Sequence, residues 1–563
     1  MNANLFHLRY LIKPRLRIVF IAVFLVGQFN FSTARSFDTK ELATVCKIWG
    51  FLKYHHPVVA KGKLNWDEEL LNMLGNHEVH EFNPIMVNWI NRLNGSKKYY
   101  YSVATNKLNN NESLKWINAD SLIDDSLRNL LWQVYYHRIN SSSYYVKPFF
   151  INGTVMFKNE KHYADMDYSN LNMRLLAVSR YWNAINYFYP YLTLLDSNWN
   201  SVLPLAIDKM KSISSRDEYI NTLRWLVKKT TDGHNNLSVF YSFKRDSFKW
   251  TPYSYKVWNN KIWVDGFYTD KIDFGTPLRI GDEIVSVNNQ TAIDHIQYWM
   301  SNINASNNSG LLNYVSYYVL SGYDSLVNLK IRRHDSLFDA TIKRYTEESL
   351  ISFQSNINEV KDSIINNIPY LNLANVSKKE IELFIKTHFE SRAMIVDLRN
   401  YPKDDPKVVF AKYLLSERRK FAEIKLMDVY NPGGFRRMKK DSSIFDYSWI
   451  GAQNKKVYQG KVVLLVDANT ISHAEFTAMA MQVMPQVTVI GSQTGGANGN
   501  VTTLLLPGNI KTSISGIGVS YPDGSQSQRK GIKLNIEVTE PSTNNLKSGD
   551  VIFKTALNLL NQL

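Results

Sequence analysis

Ser472 stands in the segment Val466-Asp-Ala-Asn-Thr-Ile-Ser-His-Ala-Glu475, where an apolar strand ends, a polar turn follows and a helix begins. A serine at a helix N-terminus carries an exposed hydroxyl, and the free N–H groups of the first turn face any oxyanion that develops there. That combination suits acyl transfer. The same position also suits simple helix capping, a common task of serine, and spacing alone leaves both readings open. Glu475, three residues into the helix, reads as a stabiliser of the helix start. Other reactive side chains carry less. The single cysteine, Cys46, has no intramolecular partner and reads as a small buried apolar residue. His55 and His56 have no Cys or acidic neighbours at ligand spacing, so no metal is expected there, and acyl transfer by a serine calls for no organic cofactor.

The elements that position Ser472 read as α/β. Ala393-Met-Ile-Val-Asp397, Lys461-Val-Val-Leu-Leu-Val466 and Val487-Thr-Val-Ile-Gly491 are apolar strands, with a helix from Ala474 to about Val483 between the last two. This β-α-β texture predicts a mainly parallel sheet covered by helices. Ahead of it, residues 250–346 change to short alternating strands. Within them Gly275-Thr-Pro-Leu-Arg-Ile-Gly-Asp-Glu-Ile-Val-Ser-Val-Asn-Asn-Gln290 reads as a turn, a Gly-Asp corner and a strand that ends in an Asn-Asn turn. The stretch resembles the PDZ domains of bacterial envelope proteases. That resemblance implies a groove that takes an extended peptide as an added strand and seats its C-terminal carboxylate on backbone N–H groups.

The N-terminal part contains two copies of one pattern. Trp49-Gly-Phe-Leu-Lys-Tyr-His-His-Pro57 followed by Asn65-Trp-Asp67 recurs as Trp182-Asn-Ala-Ile-Asn-Tyr-Phe-Tyr-Pro190 followed by Asn198-Trp-Asn200, at an offset of 133 residues. Each copy has an apolar helical period, stops at a proline and restarts at an asparagine able to cap the next helix, which predicts a helical hairpin per copy. Residues 1–34 read as an export signal: Arg9, Lys13, Arg15 and Arg17, an apolar run from Ile18 to Gly27, then Ser32-Thr-Ala34 before a cleavage point. That run is shorter than the ~20 residues of a spanning helix, and no later segment is apolar enough to span. Export without disulfides fits a bacterial envelope, so the mature protein is expected to be periplasmic or secreted.

The chain has 563 residues, too many for one core, and about three to four domains are expected. Hydrophobic content of 44% rules out disorder as its organising feature. The net charge of +16 includes four charges in the leader, and the remaining Lys and Arg are scattered with no recognition motif, so a nucleic-acid partner is not expected.

Several motifs together bring a family into view. Thr470-x-Ser472-x-x-Glu475, then Val489-Ile-Gly-Ser-Gln-Thr-Gly-Gly496, Asp397-Leu-Arg-Asn400 and Gly531-Ile-Lys-Leu-Asn-Ile-Glu-Val538 resemble, in the right relative positions, the core of C-terminal-processing and tricorn-type serine peptidases. The likeness spans roughly residues 225–560. It implies a ClpP/crotonase-like α/β core, Ser472 as nucleophile, and protein or peptide substrates with accessible C-terminal tails. The tail-specific branch activates its serine with a lysine 25 residues on; here that position is Ala497, and neither Lys nor Arg occurs between Ser472 and Lys511. The tricorn-type branch uses a histidine ahead of its PDZ domain, which Thr231-Asp-Gly-His234 matches, so His234 is expected as general base. Where that branch has an orienting carboxylate this chain has Gln528, which can position an imidazole but cannot neutralise it. The oxyanion donors implied are the N–H of His473 and one from the Asn400-Tyr401 turn, where Tyr401-Pro402-Lys403 replaces the family's glycines.

The expected organisation is therefore multidomain α+β: a signal at 1–34, helical repeats at 35–165 and 166–249 (the second carrying the Asp-Gly-His turn), a PDZ-like β domain at 250–346 and an α/β peptidase core at 347–563. The expected activity is serine endopeptidase cleavage near C-terminal tails. A catalytically weak relative that binds through the PDZ groove is the alternative. Oligomeric state is not legible.

Overall fold

A computed structural model describes residues 36–75, 81–94, 112–139, 141, 143–149, 152–237, 248–268, 278–354, 361–437, 447–538 and 550–562. The export segment, its cleavage point and Gly275–Pro277 lie outside these residues.

The repeated sequence pattern becomes a repeated structure. Helix α1 (Thr39–His55) and helix α2 (Trp66–Gly75) recur as α3 (Leu171–Phe188) and α4 (Trp199–Lys211). Asp38 and Glu41 form a capping box at the start of α1, and Asn170 and Asn198 cap α3 and α4. Each hairpin is closed by reciprocal indole bonds. Trp49 Nε1 donates to the Trp66 carbonyl (2.8 Å) and Trp66 Nε1 to the Trp49 carbonyl (3.0 Å); Trp182 and Trp199 do the same at 2.9 and 3.0 Å. A buried indole needs one acceptor, and this pairing supplies it for all four. The copies then pack on one another through equivalent positions. Ser179 Oγ donates to Cys46 Sγ at 2.9 Å, and a Cβ on Gly50 would lie 1.9 Å from Asn183 Cγ. Both pairs are 133 residues apart, the mark of a local two-fold.

The two copies share one hydrophobic core rather than two. Leu504, Leu506, Ile510 and Ile514 join it from far along the chain, on the antiparallel hairpin formed by β11 (Val501–Leu506) and β12 (Ile510–Ser515). Buried Arg180 fixes the hairpin, with Nη2 on Asp67 at 2.5 Å and Nη1 on the Leu505 carbonyl at 3.2 Å.

The middle of the chain is a six-stranded antiparallel sheet. It includes β1 (Tyr253–Trp258), β2 (Lys261–Phe267), β3 (Glu283–Val287), β4 (Leu326–Arg333) and β5 (Ser336–Lys343), with helices α5 (Ala292–Asn302) and α6 (Asn308–Tyr318) packed against it. Arg333 grips Asp282 with Nε (2.8 Å) and Nη2 (2.7 Å), pinning the Gly-Asp corner. Asn288 and Asn289 adopt φ of 47° and 67°, the left-handed pair a two-residue turn requires.

The last part holds a second six-stranded sheet: β6 (Asp362–Ile365), β7 (Ile368–Asn372), β8 (Ala393–Asp397), β9 (Lys461–Val466), β10 (Val487–Gly491) and β13 (Ile536–Glu537). The first pair is antiparallel and the others parallel. Met394, Val396, Val462 and Leu464 bury against one layer, while Ile395, Val463 and Leu465 meet the helix α8 (Val551–Asn561) on the other. Period-two alternation with both faces apolar is why these strands read as unbroken hydrophobic runs. The polar turn after β9 leads into α7 (His473–Met481), which begins one residue after Ser472. No described helix is long and apolar enough to cross a membrane.

Candidate active site

Three bonds shape the turn that delivers Ser472. Asn469 N–H donates to Asp467 Oδ1 (2.8 Å), Thr470 Oγ1 to the Leu398 carbonyl (3.0 Å) and Asp467 N–H to Thr470 Oγ1 (3.1 Å). They leave Ser472 at φ 57° and ψ −116°, a region non-glycine residues avoid at a cost of about 1–3 kcal/mol. Ser472 occupies the N-cap position but its side chain makes no capping bond. Capping therefore does not explain this serine. A strained strand-to-helix turn of this kind is how nucleophilic serines are presented at the top of a sheet. Ser472 lines a cavity of about 270 Å3 with Tyr401, Lys407, His473 and Asn498, walled on one side by Ile424, Leu426, Phe476 and Ile517.

Glu475, at the helix start, also reaches beyond its own helix. It is fully buried, and its Oε1 accepts from Thr494 Oγ1 (2.5 Å) and Gly496 N–H (2.9 Å), tying α7 to the loop that follows β10. Burial pushes this carboxyl up to about 7, against the hydrogen bonds that favour its charged form. The same loop and the serine turn are both held from the β-rich middle unit. Asn307 Nδ2 donates to the Thr494 carbonyl, Ser309 Oγ to the Gln493 carbonyl and Asn313 Nδ2 to Asn469 Oδ1, each at 2.8 Å.

His234 lies in the turn after the second helical repeat. Its N–H donates to Asp232 Oδ1 (2.9 Å), its Nδ1 is 3.1 Å from Ser515 Oγ, and Ser515 Oγ donates to Asp232 Oδ2 at 2.6 Å. Tyr189 OH reaches the same Oδ2 at 3.0 Å. His234 Nε2 is buried and has no hydrogen-bond partner among the described residues. Desolvation lowers the imidazole pKa, opposed by the Asp232 carboxylate. The segment between α5 and α6 braces this turn, with Asn304 Nδ2 on the Asp232 carbonyl (2.8 Å) and Ser306 Oγ accepting from Gly233 N–H (2.9 Å).

The serine turn and the histidine turn meet at one residue. Ser472 N–H donates to the Ala497 carbonyl (2.8 Å), and a Cβ on Gly233 would lie 3.5 Å from Ala497 Cβ. Gln528 does not join them as expected. Its Oε1 accepts from Asn498 N–H at 3.1 Å, its Nε2 has no partner among the described residues, and the imidazole is held by Ser515 instead. Tyr401 stands exposed on the cavity rim and packs its ring 6.1 Å from that of His473. The His473 ring turns to the Asp404 carbonyl (3.3 Å), leaving its backbone N–H at the first turn of α7.

Nothing in the sequence points to Ser515 or Tyr189 as neighbours of His234 and Asp232. Tyr189 closes an apolar helical period just before a proline, and Ser515 lies on a hairpin that gives no sign of where it docks.

Residues 367–538 match the model of Peptidase family S41. The chain carries a peptidase family S41 domain. That family places it among the serine-type peptidases. The S41 match includes Ser472, Ala497 and Gln528, whereas His234 lies outside it. Among solved structures, mature CPAF complexed with lactacystin is similar at 12% identity and TM-score 0.54, over 69% of this chain and 97% of that one. Mature CPAF matches at 11% and 0.51, over 67% and 94%. At such identities the likeness is one of fold. A photosystem II D1 C-terminal processing protease aligns at 15% and 0.38, over 65% and 93%. No curated protein matches the chain.

Proposed function

We propose that the chain is an exported serine endopeptidase in which Ser472 attacks a peptide carbonyl and His234 takes its proton. The tetrahedral oxyanion is met by the His473 N–H, with a second donor from the Tyr401 turn. His234 then returns the proton to the leaving amine, and water, activated by the same imidazole, hydrolyses the acyl-enzyme. No metal or organic cofactor enters this scheme. The observation that carries the proposal is the backbone of Ser472: held at φ 57° with no capping bond, at a cavity wide enough for a substrate side chain. The apolar wall of Ile424, Leu426, Phe476 and Ile517 favours a hydrophobic residue beside the scissile bond.

In this reading the segment 1–34 directs export, and the protein acts in the periplasm or outside the cell. The PDZ-like unit at 250–346 takes an extended C-terminal tail as an added strand and supplies binding energy remote from the bond that is cut.

A fluorophosphonate probe tests the chemistry. It labels the wild type at Ser472, and labelling is lost in Ser472→Ala and greatly slowed in His234→Ala. One observation favours a second reading, a protein that binds tails without cutting them: His234 Nε2 makes no bond to Ser472. That protein leaves the probe unreacted while still retaining tailed peptides.

A further inference from the structure

We infer that Ser515 and Asp232 are the positioning pair for His234, setting which of its nitrogens carries the proton. The inference rests on the proposed role of His234 as base, and it gives the missing orienting carboxylate a different location in the chain.

The argument follows the protons. Asp232 is fully buried and three donors converge on it: His234 N–H on Oδ1, and Ser515 Oγ and Tyr189 OH on Oδ2. A serine hydroxyl has one proton to give and two lone pairs. With that proton directed to Asp232 at 2.6 Å, Ser515 Oγ is an acceptor toward the imidazole 3.1 Å away. His234 Nδ1 must therefore carry the hydrogen, and the lone pair falls on Nε2. Nε2, the nitrogen without a partner among the described residues, then holds the lone pair that a general base needs. The opposite tautomer would set a lone pair on Nδ1 against a lone pair of Ser515.

Backbone contacts hold the pair in place. Ser515 N–H donates to Asn235 Oδ1 (3.1 Å), Ser513 Oγ donates to the His234 carbonyl, and Leu237 forms an isolated bridge with Thr512. Strand β12 therefore grips the histidine turn on both sides. Negative charge stays close as well: Asp232 Oδ1 is 3.7 Å from Nδ1, near enough to favour the imidazolium formed when the base takes the serine proton.

Ser515→Ala removes the acceptor, and Asp232→Asn replaces an acceptor with an amide able to donate to Ser515, which turns the Ser515 proton toward Nδ1 and favours the wrong tautomer. Ester hydrolysis is expected to lose on the order of 10-fold in kcat in Ser515→Ala and 10³-fold or more in Asp232→Asn, with KM little changed and Ser515→Thr restoring part of the rate. Nitrogen-15 spectra of histidine-labelled protein at pH 8, with His234 assigned by its loss in His234→Ala, are expected to show Nδ1–H in the wild type and Nε2–H in Asp232→Asn. An Nε2–H wild type, or full kcat in folded Ser515→Ala, overturns the inference. If the wild type shows Nδ1–H but the fluorophosphonate never reacts, the positioning pair stands and the peptidase reading falls.

Discussion

Ser472 N–H donates to the carbonyl of Ala497 at 2.8 Å, and the methyl of that alanine packs against the Asp232-Gly233-His234 turn. One small residue thus touches both the serine turn and the histidine turn. Ala497 is fully buried, so added volume there must push one turn away from the other. Ala497→Leu is expected to slow fluorophosphonate labelling at least 10-fold and to destabilise by about 1–3 kcal/mol. Labelling kinetics together with urea unfolding check both; a fully active, folded Leu variant contradicts the contact.

Backbone strain at Ser472 makes a separate prediction. Glycine adopts φ 57° without the Cβ penalty, whereas alanine keeps it. Both substitutions are expected to abolish activity, and Ser472→Gly is expected to be more stable than Ser472→Ala by about 1 kcal/mol. Parallel denaturant titrations of the two inactive variants read the difference directly.

Glu475 predicts how stability responds to pH. Its carboxyl is raised from 4.5 to about 7 in the folded protein, so between these values the native state binds more proton than the unfolded chain. Stability then falls as pH rises through that window, by no more than roughly 3 kcal/mol from this group. Glu475→Gln keeps an acceptor for Thr494 and Gly496 but has no proton to lose. Its unfolding free energy is expected to be flatter than that of the wild type between pH 5 and 8, in buffers of equal ionic strength.

His234 should set the acid limb of the rate profile. Desolvation holds the imidazole below its ordinary value of about 6.5, so the base stays neutral to lower pH than a free histidine. kcat/KM for a small ester is expected to fall only below pH 6.5. Asp232→Asn removes the opposing charge and is expected to move the residual limb lower still.

Much of this site was legible in the sequence because its chemistry sits in short segments. The strand-turn-helix at Ser472, the Asp-Gly-His turn and the unbroken apolar runs of β8, β9 and β10 each announce themselves within about ten residues. The repeat was visible too, since tryptophans bound to each other's carbonyls must recur at fixed spacing. What failed was anything decided by docking. Place along the chain points to Gln528 as the orienting residue, whereas tertiary packing takes its side chain to the Asn498 amide. The helix-start position of Glu475 is legible, but nothing local reveals that the 493–496 loop folds over it. Ser515 lies 281 residues from His234, and no periodicity encodes that meeting.

That last separation bears on the order in which the protein is made. A ribosome completes the helical repeats and the histidine turn first, and the N-terminal parts of a chain generally fold first. Strand β12, which clasps His234 through Ser513 and Ser515, is synthesised only after residue 510. Ser472 itself precedes the clasp. Every nascent chain therefore passes through a stage in which the serine exists and its histidine is still ungripped. In the proposed peptidase, activity therefore waits on a strand made after both the serine and the histidine, a delay written into the order of translation.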